Sequence, residues 1–242
     1  MMGGMLTRSR LSNSVAYSDL VTCIVINLDS RPERWQRVER NCRRRGIFPI
    51  RFRAHDGDQG RQTFPTSGLS PAELGLWSSF KAVVESAVDT EWILVLEDDA
   101  FLLPRFRRHV LNEIRRVDPS IIAIRMGWLG SFAWRHGMSI RRFVRSVVRR
   151  SLGRARHNIR GRLTVGKDFR PRQLWGTHAL LIRRDGVNHL LEILGQATNA
   201  LDNAFDEAEW SKPSQFKRSR RNLAWQFSSP SSIRVRTRSR ES

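Results

Sequence analysis

Glu97-Asp98-Asp99 sets three carboxylates side by side, directly after the apolar run WILVL at 92–96. Charge at the end of a buried strand is costly unless it is paired, hydrated or neutralised by a cation. Neighbouring carboxylates suit a hard divalent cation, which can bridge two phosphates and stabilise a diphosphate leaving group. The plain structural alternative gives one aspartate to capping a following helix. A second acidic group lies at 199–210, where Asp202 and Asp206 stand four apart on one helical face with Glu209 next along it. A carboxylate there could take a proton from an attacking hydroxyl; a solvated acidic face is the alternative. His178 falls inside a strand pattern and reads as a satisfied core histidine.

These residues need elements to position them. Residues 21–27 (VTCIVIN) form an apolar, β-branched run, as expected of a strand buried on both faces. Ser30-Arg31-Pro32-Glu33 reads as a capping box opening a helix with Trp35, Val38 and Cys42 inward, ended by Gly46. A brief strand at 50–53 is followed by a turn-rich 56–60. Ser70-Pro71-Ala72-Glu73 is a second capping box, with proline at the first helical position and Leu74, Trp77, Val84 and Val88 on one stripe. The third strand is 92–96, and Pro104 starts a helix carrying Phe106, Val110 and Ile114. Strands at 121–124 and 177–182, then helices at 185–194 and 199–210, complete the pattern. The alternation predicts a single α/β domain with a mostly parallel sheet and helices on both faces. Ligands of such sheets gather at the carboxyl ends of the strands. Asn27, residues 53–56 and Glu97-Asp98-Asp99 all fall at such ends.

The 242 residues hold 43 Lys and Arg against 23 Asp and Glu, a net charge of +20, with only four lysines. Arginine grips phosphate bidentately, so the balance points to a polyanionic partner; an arginine-rich overall composition is the bland alternative. The charge is uneven: residues 131–173 carry thirteen basic residues and one acid, Asp168, and read as a basic inserted segment. Residues 1–18 read as a loose tail without the apolar stretch of a signal peptide, 19–235 as the domain, and 236–242 as a basic tail. Cys23 and Cys42 fall in apolar patterns and suit a reducing cytoplasm. No apolar run approaches the roughly 20 residues of a membrane span.

Several segments together resemble glycosyltransferase family 25, the lipopolysaccharide and lipooligosaccharide galactosyltransferase type. They are Ile26-Asn27-Leu28-Asp29 with Arg31 and Arg34 following, Ala54-His55-Asp56-Gly57, the helix from Leu69 to Gly75, and Leu96-Glu97-Asp98-Asp99. Gly176-Thr177-His178-Ala179, and Gln226 with Ser231-Ser232-Ile233, resemble later family segments. The resemblance implies a GT-A-like domain and transfer of a hexose, galactose by family type, from a UDP-sugar to a saccharide or lipid-linked acceptor, with inversion. It also implies Mn2+ or Mg2+ held by Glu97 and Asp99, with Asn27, Arg34, Asp56 and Asp98 docking the nucleotide and Asp202 as the base. For Arg34 and Asp29 the residues alone leave a surface arginine and a turn aspartate as alternatives. One departure stands out: Phe80 occupies the place of a family histidine. It is either a change at the substrate, which would alter specificity or activity and leaves an inactive homologue as an alternative, or a packing change.

Residues 138–152 (MSIRRFVRSVVRRSL) place an apolar stripe and five arginines at helical spacing. Such a helix can lie on an anionic membrane, or pack its stripe on the domain. The first reading puts the protein in the cytoplasm, peripheral on the inner membrane face. A nucleic-acid-binding protein is the rival from another class; it rests on charge alone, and no nucleic-acid motif appears.

Overall fold

The computed structural model describes residues 16–86, 88–127, 177–219 and 223–226, all within one compact unit. A single helical turn, α1 (Tyr17–Leu20), leads into β1 (Val21–Asn27), α2 (Pro32–Arg43) and β2 (Ile50–Arg53). Then follow α3 (Gly57–Thr63), α4 (Pro71–Glu85), β3 (Trp92–Glu97), β4 (Ala100–Leu102), α5 (Phe106–Arg116) and β5 (Ala123–Arg125). The last elements are β6 (Ala179–Arg183), a short 3-10 turn, α6 (Val187–Leu194), α7 (Leu201–Ser211), β7 (Phe216–Arg218) and β8 (Ala224–Gln226). The expected 131–173 and 138–152 segments and both expected tails, apart from residues 16–18, lie outside the described residues.

Six strands form one sheet in the order β2-β1-β3-β6-β5-β7, with β6 antiparallel to both neighbours and every other pair except those two parallel. β4 and β8 make a separate antiparallel ribbon. The expected mostly parallel α/β architecture is therefore present. Strand alternation divides the core: Cys23, Val25, Leu94, Leu96 and Leu181 face α2 and α5, while Ile24, Ile26, Ile93, Val95 and Ile182 face α4, α6 and α7. A strand apolar at every position must be covered on both sides, which is why β1 and β3 read as continuous apolar runs. Each such side chain contributes about 1.5–3 kcal/mol relative to exposure.

Local details depart from the sequence expectation. The box at Ser30 does not form. The N-cap of α2 is Arg31, with no side-chain cap, and Pro32 is the first helical residue. The shift turns the Arg31 carbonyl onto the Asn27 side-chain amide at 3.0 Å, and puts Arg34 rather than Glu33 at the third helical position. The box at Ser70 does form, with Glu73 Oε2 accepting from the Ser70 backbone N–H at 3.0 Å. The stretch 56–60, expected as turn, instead opens the helix at 57–63, because Asp56 caps the backbone N–H groups of Asp58 and Gln59. Three glycines let α3 and its approach lie against α4: a Cβ on Gly60 would come 2.4 Å from Leu74, and one on Gly75 would come 2.7 Å from the His55 carbonyl. The third, Gly57, would meet Pro71 at 2.4 Å. The helix expected from Pro104 starts at Phe106, after Arg105 in the left-handed region at φ 64°.

Candidate active site at the carboxyl edge of the sheet

Because β1 and β3 are parallel neighbours, Asn27 and Glu97 end on the same edge. Because β6 runs the other way, its amino end lies at that edge too, and Glu97 N–H donates to the His178 carbonyl at 3.2 Å. Seven residues were expected here, and the structure sorts them into two linked groups plus one outlier.

The first group is a hydrogen-bonded chain through Asn27, which is 1% exposed. Its Nδ2 donates to Asp98 Oδ2 at 2.8 Å, and its Oδ1 accepts from Arg51 Nε at 2.9 Å. Arg34 Nη1 donates to Asp98 Oδ1 at 3.1 Å and stands 3.9 Å from Asp99 Oδ2. Burial works against the Arg34 charge, but Asp98 and then Asp99 more than offset it and raise its pKa. Protein groups thus engage both oxygens of Asp98 and both ends of the Asn27 amide. Expected as nucleotide contacts, Asn27 and Asp98 hold the loop after β3 in place.

The second group is acidic. Thr177, 3% exposed, lies with its hydroxyl 2.8 Å from Asp202 Oδ1 and 3.1 Å from Glu97 Oε1. One hydroxyl proton serves one of these oxygens at a time. The Glu97 carboxyl is pushed well above the usual range, first by burial and then by the charges of Asp99 and Asp202. Glu97, Asp99 and Asp202 are therefore close enough to feel one another, as a cation or proton site requires. Among the described residues no three His, Cys, Asp or Glu side chains form a ready metal cage. The donor set still fits a hard divalent ion, since one or two carboxylates suffice when phosphate oxygens and water complete the shell. Glu97 and Asp99 are the residues that would hold it.

Asp56 is the outlier, exposed and occupied in capping α3. Asp206 and Glu209 are also committed. The Arg125 guanidinium, wholly buried, pairs with Asp206 at 3.0 Å and Glu209 at 2.9 Å, and Arg218 pairs with both. Burial raises both carboxyl groups while Arg125 and Arg218 pull them down. Of the acids on α7 considered as a base, Asp202 alone is turned to the sheet edge. His178 is fully buried, its Nε2–H donating to the Ala224 carbonyl at 2.8 Å, and burial lowers its pKa. It is the core histidine expected from the strand pattern.

Phe80 is 1% exposed and meets Phe205 edge-to-face at 5.7 Å between ring centres. Ser79, beside it, is also buried, accepting from His55 N–H and donating to the Gly75 carbonyl. This stretch of α4 packs and does not face the acidic edge, so Phe80 is a packing change. Sequence reading missed Thr177 and Arg125 as site residues. No periodic signal marks either, because a hydroxyl and an arginine become legible only once β6 is seen to run antiparallel and α7 to cross β5.

A model of glycosyltransferase family 25, described as an LPS biosynthesis protein, matches residues 21–205, and the chain belongs to this family. It is accordingly a glycosyltransferase. No curated protein sequence matches it. Among solved structures it is similar to a glycosyltransferase involved in glycosylation of the major capsid of PBCV-1, at 11% identity and TM-score 0.44, over 91% of this chain and 99% of that one. It is similar also to a Drosophila β-1,4-galactosyltransferase 7 variant in complex with manganese, UDP-Gal and xylobiose, at 10% identity and TM-score 0.42, over 88% and 73% of the two chains. A third is glucosyl-3-phosphoglycerate synthase of Mycobacterium tuberculosis with Mn2+, UDP and phosphoglyceric acid, at 10% identity and TM-score 0.39, over 90% and 74%.

Proposed function

We propose that the chain transfers a hexose, galactose by family type, from a UDP-sugar to a saccharide acceptor of a surface glycan or lipid-linked chain, with inversion. The observation that carries this reading is the meeting of Glu97 and Asp202 at the Thr177 hydroxyl, with Asp99 close enough for its charge to act on Glu97. The acceptor hydroxyl oxygen forms the new bond to the anomeric carbon, and the bond from that carbon to the diphosphate oxygen breaks, its electron pair leaving with the diphosphate. Asp202 takes the hydroxyl proton. Arg34, fixed by Asp98, adds positive charge near the first turn of α2. A divalent cation, when bound at Glu97 and Asp99, supplies charge neutralisation for the diphosphate. The protein works in the cytoplasm, peripheral on the inner membrane face, with residues 138–152 as one contact.

A panel of UDP-sugars assayed with manganese, and again after chelation, tests the donor and the metal; the anomeric configuration of the product tests inversion. Asp202→Asn should lower kcat by at least a hundredfold with the donor KM nearly unchanged, because a base acts in the transition state. Near-normal kcat in that variant would remove Asp202 from the role.

A further inference from the structure

At the carboxyl end of β2, three side chains fix the tautomer of a histidine by proton counting. Thr63 Oγ1 donates to the Gln59 carbonyl at 3.0 Å, so its single proton is committed there. Thr63 Oγ1 also lies 3.0 Å from Ser78 Oγ, and this second bond then takes the Ser78 proton. Ser78 Oγ lies 2.6 Å from His55 Nδ1, and with its own proton committed it can only accept. Nδ1 therefore carries the ring proton, which leaves Nε2 of the neutral ring as an acceptor. Among the described residues Nε2 has no hydrogen-bond partner. Ser78 is 2% exposed, but His55 is only half-buried, and its two ring nitrogens point away from each other.

The backbone holds this ring firmly at the sheet edge. His55 N–H donates to Ser79 Oγ at 2.8 Å, the Ala54 N–H donates to the Asn27 carbonyl at 3.0 Å, and the Phe52 ring centre lies 5.6 Å from that of the imidazole. Tying β2 to α4 requires only the Nδ1 bond, which a shorter side chain can make. What the imidazole adds is an acceptor on its far side. β2 is the outer strand here, two strand spacings or about 10 Å from β3. In the function proposed above, Glu97 and Asp99 fix the diphosphate at the end of β3, and Asp202 lies on the β6 side of it. The nucleoside then extends the other way, over β1 toward β2, and two strand spacings match its reach from phosphate to base.

We infer, on the UDP-sugar reading, that His55 Nε2 selects the donor's nucleobase by accepting from the N3–H of uracil. Cytosine has a lone pair at the same atom, and two acceptors facing each other repel. Ser78 and Thr63 are positioning residues, because they hold the tautomer that makes the choice.

Titration of the full chain with UDP, CDP and N3-methylated UDP, with manganese present, tests it at about pH 8, where an ordinary imidazole is neutral. One neutral hydrogen bond changes binding by up to about tenfold, and a repulsive mismatch adds to that. Wild type should therefore prefer UDP to each of the others by about tenfold or more. His55→Asn puts an amide nitrogen where Nδ1 stands, keeps the bond to Ser78 and deletes Nε2. It should unfold at the wild-type temperature, bind UDP about tenfold more weakly and lose the preference over CDP. Ser78→Ala should narrow the preference with the ring intact, and nitrogen NMR should show Nε2 unprotonated in wild type and mixed tautomers in that variant. Equal weakening of UDP and CDP in His55→Asn would put the contact on the ribose. A preference kept in His55→Asn, or wild type binding N3-methylated UDP as tightly as UDP, would leave the ring as packing. Each of these results overturns the inference and leaves the donor reading standing. Binding of no uridine nucleotide at all would overturn the donor reading and the inference with it.

Discussion

Thr177→Val keeps the shape of the side chain and deletes one hydroxyl. That hydroxyl is buried and lies 2.8 Å from Asp202 Oδ1, so it fixes which way the carboxylate proposed as the base points. A hydrogen bond to a charged group contributes about 1.5–3 kcal/mol, which in a rate is about 10- to 150-fold. The expected result is a fall in kcat of that size with little change in the donor KM, since orientation of the base counts in the transition state. Thr177→Ser, which keeps the hydroxyl, should recover most of the loss. The decisive assay is the cycle with Asp202→Asn. If Thr177 acts through Asp202, adding Thr177→Val to the asparagine variant should cost nothing further. A kcat within twofold of wild type for Thr177→Val, or its full effect persisting in the asparagine background, would refute the reasoning.

Arg125→Met should cost about 3–5 kcal/mol of stability in urea unfolding, because it strands Asp206 and Glu209 with Arg218 alone. His178 should make the fold less stable as pH falls: burial depresses its folded pKa, so the unfolded chain takes up the proton first below about 6.5, and stability drops with further acidification. His178→Gln should flatten that slope, read as the difference in urea midpoint between roughly pH 7.5 and 5.5; an unchanged slope would place the proton elsewhere. Phe80→His should leave donor turnover no higher than wild type and lower stability by about 1–3 kcal/mol, since it buries a polar ring against Phe205 without a partner. A gain in turnover would return position 80 to the substrate.

The sequence made legible those parts of the fold in which local signals agree with tertiary need. β1 and β3 are apolar at nearly every position because both faces are covered, and α4 opens at Ser70 because its capping box satisfies its own first turn. The acidic strand end was legible for the same reason, charge abutting five apolar residues. What escaped depends on partners far along the chain. β4 and β8 are three residues each and exist only by pairing residues 100–102 with 224–226. The sequence GDQGRQT of α3 has no apolar stripe, and its helix is made by a cap and by glycines that admit α4. Asn27 and Asp98 were legible as residues of this edge, but the bonds they make within the protein, to Arg51 and Arg34, were not, because those arginines come from β2 and the first turn of α2.

β5 and β6 are antiparallel neighbours, and the chain between them leaves at Gly127 and re-enters at Thr177, beside Glu97 and Asp202. The two anchors are tied to each other, with Met126 N–H donating to the Ala179 carbonyl at 2.9 Å, and packed so closely that a Cβ on Gly127 would come 2.5 Å from His178 Nε2. Once the ends of a long connection are fixed in this way, its length hardly matters to folding: each doubling adds only about 0.6 kcal/mol of closure entropy. Residues 128–176 can therefore lengthen, shorten or be exchanged over evolutionary time without moving a strand of the sheet. The chemistry at the edge can stay constant while the sequence of that connection changes.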